Sequence, residues 1–271
     1  MDWLQALILG LVQGFTEFLP VSSSGHLEIG KALLGIEGEG NITFTVVVHG
    51  ATVLSTLVVF RKEIWRLLKG AFEFKLNEET QYILKLIVSM IPVLLVGIFL
   101  EKWVESFFTG RILFVGFMLL ITASLLALTH FVKIRDTSKP ITYRSAFIIG
   151  LVQAVATLPG ISRSGSTIAA GMLLGVDKKL VAQFSFLMVL VPVIGANLLQ
   201  IWHAHEAAAT ATASAPAVHL LPLAIGFLAA FAAGLIACTW MISLVKRGKL
   251  IWFAVYCFCI GLVAIGIGLF K

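Results

Sequence analysis

The sequence predicts an all-α polytopic membrane protein. It reads as an inverted repeat, residues 1–135 and 145–271, within one integral-membrane domain; each half holds one re-entrant helix hairpin plus three transmembrane helices. Composition comes first: 59% of the 271 residues are hydrophobic and 13% charged, with mean hydropathy +1.01, whereas soluble domains carry about 25% charged residues. The apolar runs are continuous rather than alternating, which selects helices over barrel strands. Finally, Gly10-Leu11-Val12-Gln13 returns as Gly150-Leu151-Val152-Gln153. Val21-Ser22-Ser23-Ser24-Gly25-His26 returns as Ile161-Ser162-Arg163-Ser164-Gly165-Ser166, at the same shift along the chain.

Residues 3–19 and 27–34 are apolar runs, each shorter than the roughly 20 residues that a crossing helix needs. The Pro-Ser-Gly segment between them makes a hairpin that returns to its own side, with irregular backbone buried in protein or lining a cavity. Residues 44–60 span. Arg61, Lys62, Arg66, Lys69 and Lys75 follow and mark the cytoplasmic side. Residues 82–100 span back, kinked at Pro92. A short loop leads to a third span over 112–131, followed by Lys133, Arg135, Lys139 and Arg144. The second half repeats the plan: runs 145–158 and 167–174 flank a second hairpin loop, and 180–202, 220–245 and 250–270 span. The stretch 204–217 lacks Lys and Arg, as an outer loop should. Three spans per half is an odd number, so the halves insert upside down relative to one another. A site is then expected near the membrane midplane where they meet, with both termini extracytoplasmic.

The formal charge of +6 comes from Lys and Arg beside apolar runs, where it sets orientation and gives no sign of nucleic-acid binding. Cys238, Cys257 and Cys259 lie in apolar runs without zinc spacing. No basic segment precedes the first apolar run, so no cleavable signal peptide is expected.

Ionisable groups within a membrane are costly and point to function. Gln13 and Glu17 share one helix face and offer a carboxamide and a carboxylate oxygen to a hard cation. Magnesium commonly takes only one or two protein oxygens. Pro20 stops the first hairpin helix and Ser22 or Ser23 can cap the next, turning backbone N–H groups toward an anion. Gly25 permits close approach, and His26, one turn from Ser23, could act as base toward its hydroxyl or toward water. In the second loop Arg163 replaces Ser23. A guanidinium among Gly160, Ser162, Ser164 and Gly165 is a phosphate clamp, or an ion-pair partner for Glu17, or both. A nucleophile, a base, a cation ligand and an anion clamp together suit hydrolysis of a phosphate ester or anhydride. His49 reads as a packed polar residue, and His203, His205 and His219 as borders of a solvated loop.

Over essentially its whole length the chain resembles the undecaprenyl-diphosphate phosphatases, the BacA-type bacitracin-resistance family. Gln13-x-x-x-Glu17, Pro20-Val-Ser-Ser-Ser-Gly-His26 and Pro159-Gly-Ile-Ser-Arg-Ser-Gly165 carry the resemblance. It implies hydrolysis of undecaprenyl diphosphate to undecaprenyl phosphate and inorganic phosphate, which recycles the lipid carrier of peptidoglycan. It also implies a divalent cation, Mg2+ or Ca2+, and a site on the extracytoplasmic side of the bacterial inner membrane. Carried over, Gln13 and Glu17 serve metal and diphosphate, Ser23 is the nucleophile with His26 as its base, and Arg163 holds phosphate. The alternative assignment makes His26 the nucleophile. A transporter or flippase for a polyprenyl phosphate is the competing function, because inverted repeats with broken helices are a transporter plan. Gly226, Gly234, Gly261, Ala264 and Gly268 in the last two spans suggest a homodimer face.

Overall fold

Among the residues described in the computed structural model, which are 1–36, 40–107, 111–132, 138–210 and 220–270, the regular elements are thirteen helices. The side chains of His203, His205, His219, Lys133 and Arg135 fall outside the description. Helix α1 (Trp3–Phe18) starts at a capping box in which Asp2 accepts from the Gln5 amide at 2.7 Å. It ends before Pro20, which cannot continue a helix. Ser22 caps α2 (Ser23–Leu33). Helix α3 (Gly40–Val59) leads into α4 (Arg61–Ala71) through a 73° bend. Asn77 caps α5 (Glu78–Phe99), which carries Pro92 in its interior without a break. The short α6 (Glu101–Glu105) stands where a loop was expected, and α7 is Ile112–Phe131.

In the second half, Thr142 caps α8 (Tyr143–Val155) and Ser162 caps α9 (Arg163–Leu173). Asp177 caps α10 (Lys178–Met188), which passes through Val189 into α11 (Leu190–Thr210). This helix continues into the stretch expected to be an outer loop. Helices α12 (Leu220–Lys246) and α13 (Ile251–Phe270) complete the chain.

Five stretches are long and apolar enough to cross a membrane: α5, α7, α10 with α11 as far as Leu199, α12 and α13. The bent pair α3–α4 makes a sixth if counted as one. The chain is thus a multi-pass helical membrane protein. Outward-facing side chains such as Ile98, Phe131, Leu228 and Trp252 are apolar and exposed, as lipid contact requires. Helices α1, α2, α8 and α9 have 16, 11, 13 and 11 residues, too short to span about 30 Å of hydrocarbon alone.

Helix α1 lies along α12, α8 along α5, and α7 along α13. Small residues permit these contacts. A Cβ on Gly10 would stand 2.5 Å from the Gly226 carbonyl, and one on Gly14 would stand 2.5 Å from the Ala230 carbonyl. Gly150 of α8 meets the Ser89 backbone of α5, and Gly116 of α7 meets Gly261 and Ile265 of α13. The small residues read as a dimer face make contacts of the same kind. Gly226, Gly234, Gly261 and Gly268 are closed off by Phe44, Ser55, Gly116 and Leu113 of the same chain, and Ala264 is fully buried. Their contacts lie inside the molecule.

Candidate active site

The turns of the two short-helix pairs meet back to back. Ser164 Oγ donates to the Leu19 carbonyl at 3.2 Å. A Cβ on Gly25 would lie 3.3 Å from Gly160 Cα, and one on Gly165 would lie 3.0 Å from Pro20 Cβ. Gly160 has φ +96°, a conformation that only glycine adopts without strain. Thr122 of α7 fixes this loop from behind: its hydroxyl donates to the Gly160 carbonyl at 3.2 Å and accepts from the Ser162 amide at 2.9 Å.

The two loops cap their helices alike. Ser22 Oγ accepts from the Gly25 amide at 3.3 Å, and Ser162 Oγ accepts from the Gly165 amide at 3.1 Å. Ser24 and Ser164 hydroxyls each stand 3.4 Å from the capping hydroxyl of their own loop. They differ in backbone, for Ser22 takes φ +69°, a costly conformation for a residue with a side chain. The Ser22 carbonyl accepts from both the His26 amide and His26 Nδ1, at 3.1 and 2.8 Å, where the Ser162 carbonyl accepts from the Ser166 amide at 2.8 Å.

Glu17 is the hub. Its Oε1 pairs with the Arg163 guanidinium across the loops. Its Oε2 accepts from Ser23 Oγ at 2.6 Å and from Gln13 Nε2 at 2.9 Å. Residues of both halves therefore converge on one carboxylate, whose side chain is only 9% exposed. The ion pair lines a crevice together with Thr52 and Thr56 of α3, Ser185 and Phe186 of α10, and Leu190 and Val193 of α11. Its lining mixes the hydroxyls of Thr52, Thr56 and Ser185 with the apolar Phe186, Leu190 and Val193.

Among the described residues the hydrogen bonds of His26 run to Ser22 and Tyr256 and not to Ser23. A carbonyl can only accept, so Nδ1 carries the proton given to Ser22, and Nε2 accepts from the Tyr256 hydroxyl at 2.9 Å. The two rings stack with centroids 5.6 Å apart. Cys257, the next residue of α13, donates to the Pro20 carbonyl at 3.5 Å. The hydrogen-bond acceptor for Ser23 is Glu17, six residues upstream across the Pro20 turn.

Sequence reasoning missed Thr122, Tyr256 and the placement of His49. His49 Nδ1 donates to the Thr45 carbonyl at 2.9 Å, and Nε2 stands 3.8 Å from Glu17 Oε2. It is no bystander to the carboxylate, and the signal was an ionisable residue within an apolar helix. Tyr256 gave none, being one aromatic in a uniformly apolar run.

A divalent cation fits the donors present, although sparsely. Gln13 is fully buried and its Oε1 lacks a hydrogen-bond partner, an orphaned acceptor one turn from the Glu17 carboxylate. One carboxylate and one carboxamide oxygen match the small protein share of a magnesium shell. Among the described residues no cluster of three His, Cys, Asp or Glu side chains exists, so the remaining positions of the shell would come from water and substrate.

The comparisons with known proteins agree with the motif geometry. The family model described as bacitracin resistance protein BacA matches residues 6–263. An undecaprenyl-diphosphatase of Christiangramia forsetii is 57% identical over 267 residues, 98% of both chains. One of Parabacteroides distasonis is 54% identical over the full length of both. One of Methanobrevibacter smithii is 35% identical over 278 aligned positions, 97% of this chain and 96% of that one. With the two interlocked loops, the match across nearly the whole length decides the relationship: this chain belongs to the BacA bacitracin resistance protein family.

Proposed function

We propose that this chain hydrolyses undecaprenyl diphosphate to undecaprenyl phosphate and inorganic phosphate in the bacterial inner membrane, with its site open to the extracytoplasmic face. The observation that carries this reading is the Ser23–Glu17–Arg163 cluster, in which a hydroxyl, its proton acceptor and an anion-binding guanidinium touch. The apolar part of the crevice lining, Phe186, Leu190 and Val193, supports a substrate whose prenyl tail stays in lipid while its head reaches the cluster. The activity would return the lipid carrier to peptidoglycan synthesis and underlie bacitracin resistance.

The chemistry follows from the contacts. The terminal phosphate competes with Glu17 for Arg163, because a guanidinium binds phosphate oxygens bidentately. Free backbone N–H groups at the start of α2 face the same loop and favour negative charge. Ser23 Oγ attacks the terminal phosphorus and its proton passes to Glu17 Oε2. The bridging P–O bond breaks and undecaprenyl phosphate leaves. Water then attacks the phosphoserine, the proton held by Glu17 returns to Ser23 Oγ as the Oγ–P bond breaks, and phosphate departs carrying the water's oxygen and both its protons. His26, engaged at both ring nitrogens, orients the loop through the Ser22 carbonyl. Gln13 and Glu17 would hold a Mg2+ or Ca2+ ion, which when bound neutralises charge on the diphosphate.

The competing assignment has His26 Nε2 as the attacking group, which requires Tyr256 to release it. Rapid acid quenching with substrate labelled in the terminal phosphate tests the choice. Acid-stable label on the wild type that vanishes in Ser23→Ala is expected; acid-labile label persisting in Ser23→Ala would transfer the role to His26.

The halves are proposed as inverted repeats. The reciprocal pairing of α1 with α12 and α8 with α5 supports this, and so does the offset motif. The same observation favours a second reading, a carrier that moves polyprenyl phosphate. A carrier would bind and move lipid with Ser23→Ala as well as with Ser23.

A further inference from the structure

We infer that α4 is a membrane-surface anchor that binds anionic phospholipid headgroups. Arg61–Ala71 leaves the end of α3 at 73°, so where α3 crosses the bilayer α4 lies close to the membrane plane. Its start, directly after the apolar run of α3, places it at headgroup level. One side of the helix is held by protein: Leu67 and Gly70 are buried, and a Cβ on Gly70 would stand 2.5 Å from Glu79 Cβ of α5. The rest is open and divided in two. Trp65, Leu68 and Phe72 are 71%, 47% and 73% exposed and, at i, i+3 and i+7, form one apolar stripe. Lys62, Arg66 and Lys69, at i, i+4 and i+7, form a basic stripe beside it.

Large exposed apolar side chains in register with bases suit an interface where acyl chains end and phosphates begin. A helix of this kind sinks its apolar face about 5–10 Å into that boundary and draws further affinity from anionic lipid. Arg66 is partly engaged by Glu63 at 2.5 Å, whereas Lys62 and Lys69 hold no ion pair among the described residues. Their charge faces outward, and its complement is a negatively charged surface. The exposed apolar residues continue past the helix in Phe74 and Leu76, beside Lys75.

The test uses the full chain in vesicles of phosphatidylcholine with a fixed minor fraction of phosphatidylglycerol, with either lipid brominated in turn. Trp65 emission is isolated as the difference between wild type and Trp65→Phe. Brominated phosphatidylglycerol should quench Trp65 more per molecule than brominated phosphatidylcholine. The excess should fall by up to about fivefold for each of Lys62, Arg66 and Lys69 changed to Gln, and should shrink in high salt. All three positions are exposed, so the variants keep the fold, and Lys62→Arg should keep the preference. Equal quenching by both lipids in the wild type would overturn the proposal. So would protection of Trp65 from both, the result expected if α4 is covered by another protein.

Discussion

At the residue scale, the account turns on where Ser23 sends its hydroxyl. Side chains at a helix start lean back toward the preceding turn. Ser23, the first residue of α2, therefore meets Glu17 of α1, and His26 leans back onto the Ser22 carbonyl. The motif residues were all legible in the sequence, because polar groups stand out against an apolar chain. Their pairing was not: the three-residue spacing of Ser23 and His26 suggested a dyad, while the hydroxyl donates to Glu17 across a turn that spacing along one helix cannot describe. Two outcomes follow. Arg163→Ala should lower phosphate release by about 10³-fold or more, the scale on which a guanidinium stabilises a transferring phosphoryl group, measured as kcat/KM on a prenyl diphosphate. Tyr256→Phe removes one hydrogen bond from His26, worth about 0.5–1.5 kcal/mol. It should lower kcat about three- to tenfold with KM little changed, and should alter the His26 ring-nitrogen signals in 15N spectra.

At the element scale, short helices ending in glycine- and serine-rich turns place the chemistry, and long helices hold them. Both short-helix pairs and every long run could be read from hydropathy, and the expected bounds of α7 agree with those found. The angle of the 73° bend at Phe60, where the apolar run meets Arg61, and the passage from α10 into α11 at Val189, within a continuous apolar run, could not, because tertiary packing sets both. Gly10 and Gly14 are four residues apart, a spacing that allows close helix approach, and the structure spends it on α12. Gly14→Val would drive a side chain into the Ala230 carbonyl and should destabilise the protein by about 1–3 kcal/mol, seen as a lowered midpoint of thermal unfolding in detergent. Thr122→Val leaves the buried Ser162 amide without its acceptor at a cost of about 1–3 kcal/mol. It should also loosen Arg163, so KM for the diphosphate should rise even in samples that remain folded.

At the scale of the whole molecule, neither half has a complete site. The first supplies Gln13, Glu17, Ser23 and His26; the second supplies Arg163, the Ser164 contact to Leu19, and Tyr256. That division was visible in the offset motif, in which Arg163 stands where the first copy has Ser23. How closely the copies interlock was not, because it depends on Gly25 and Gly160 coming within contact of one another. The cluster joining the halves is proposed as a phosphohydrolase centre. The most direct measurement is phosphate release from a C55 diphosphate by the purified protein in detergent, with and without EDTA, for wild type, Ser23→Ala and Glu17→Gln. The account predicts release by the wild type that EDTA abolishes and added Mg2+ or Ca2+ restores, with both variants lower by at least about 10²-fold, the low end of what a general base contributes. Wild-type rates in Ser23→Ala, or no release from the wild type under any ion, would contradict it.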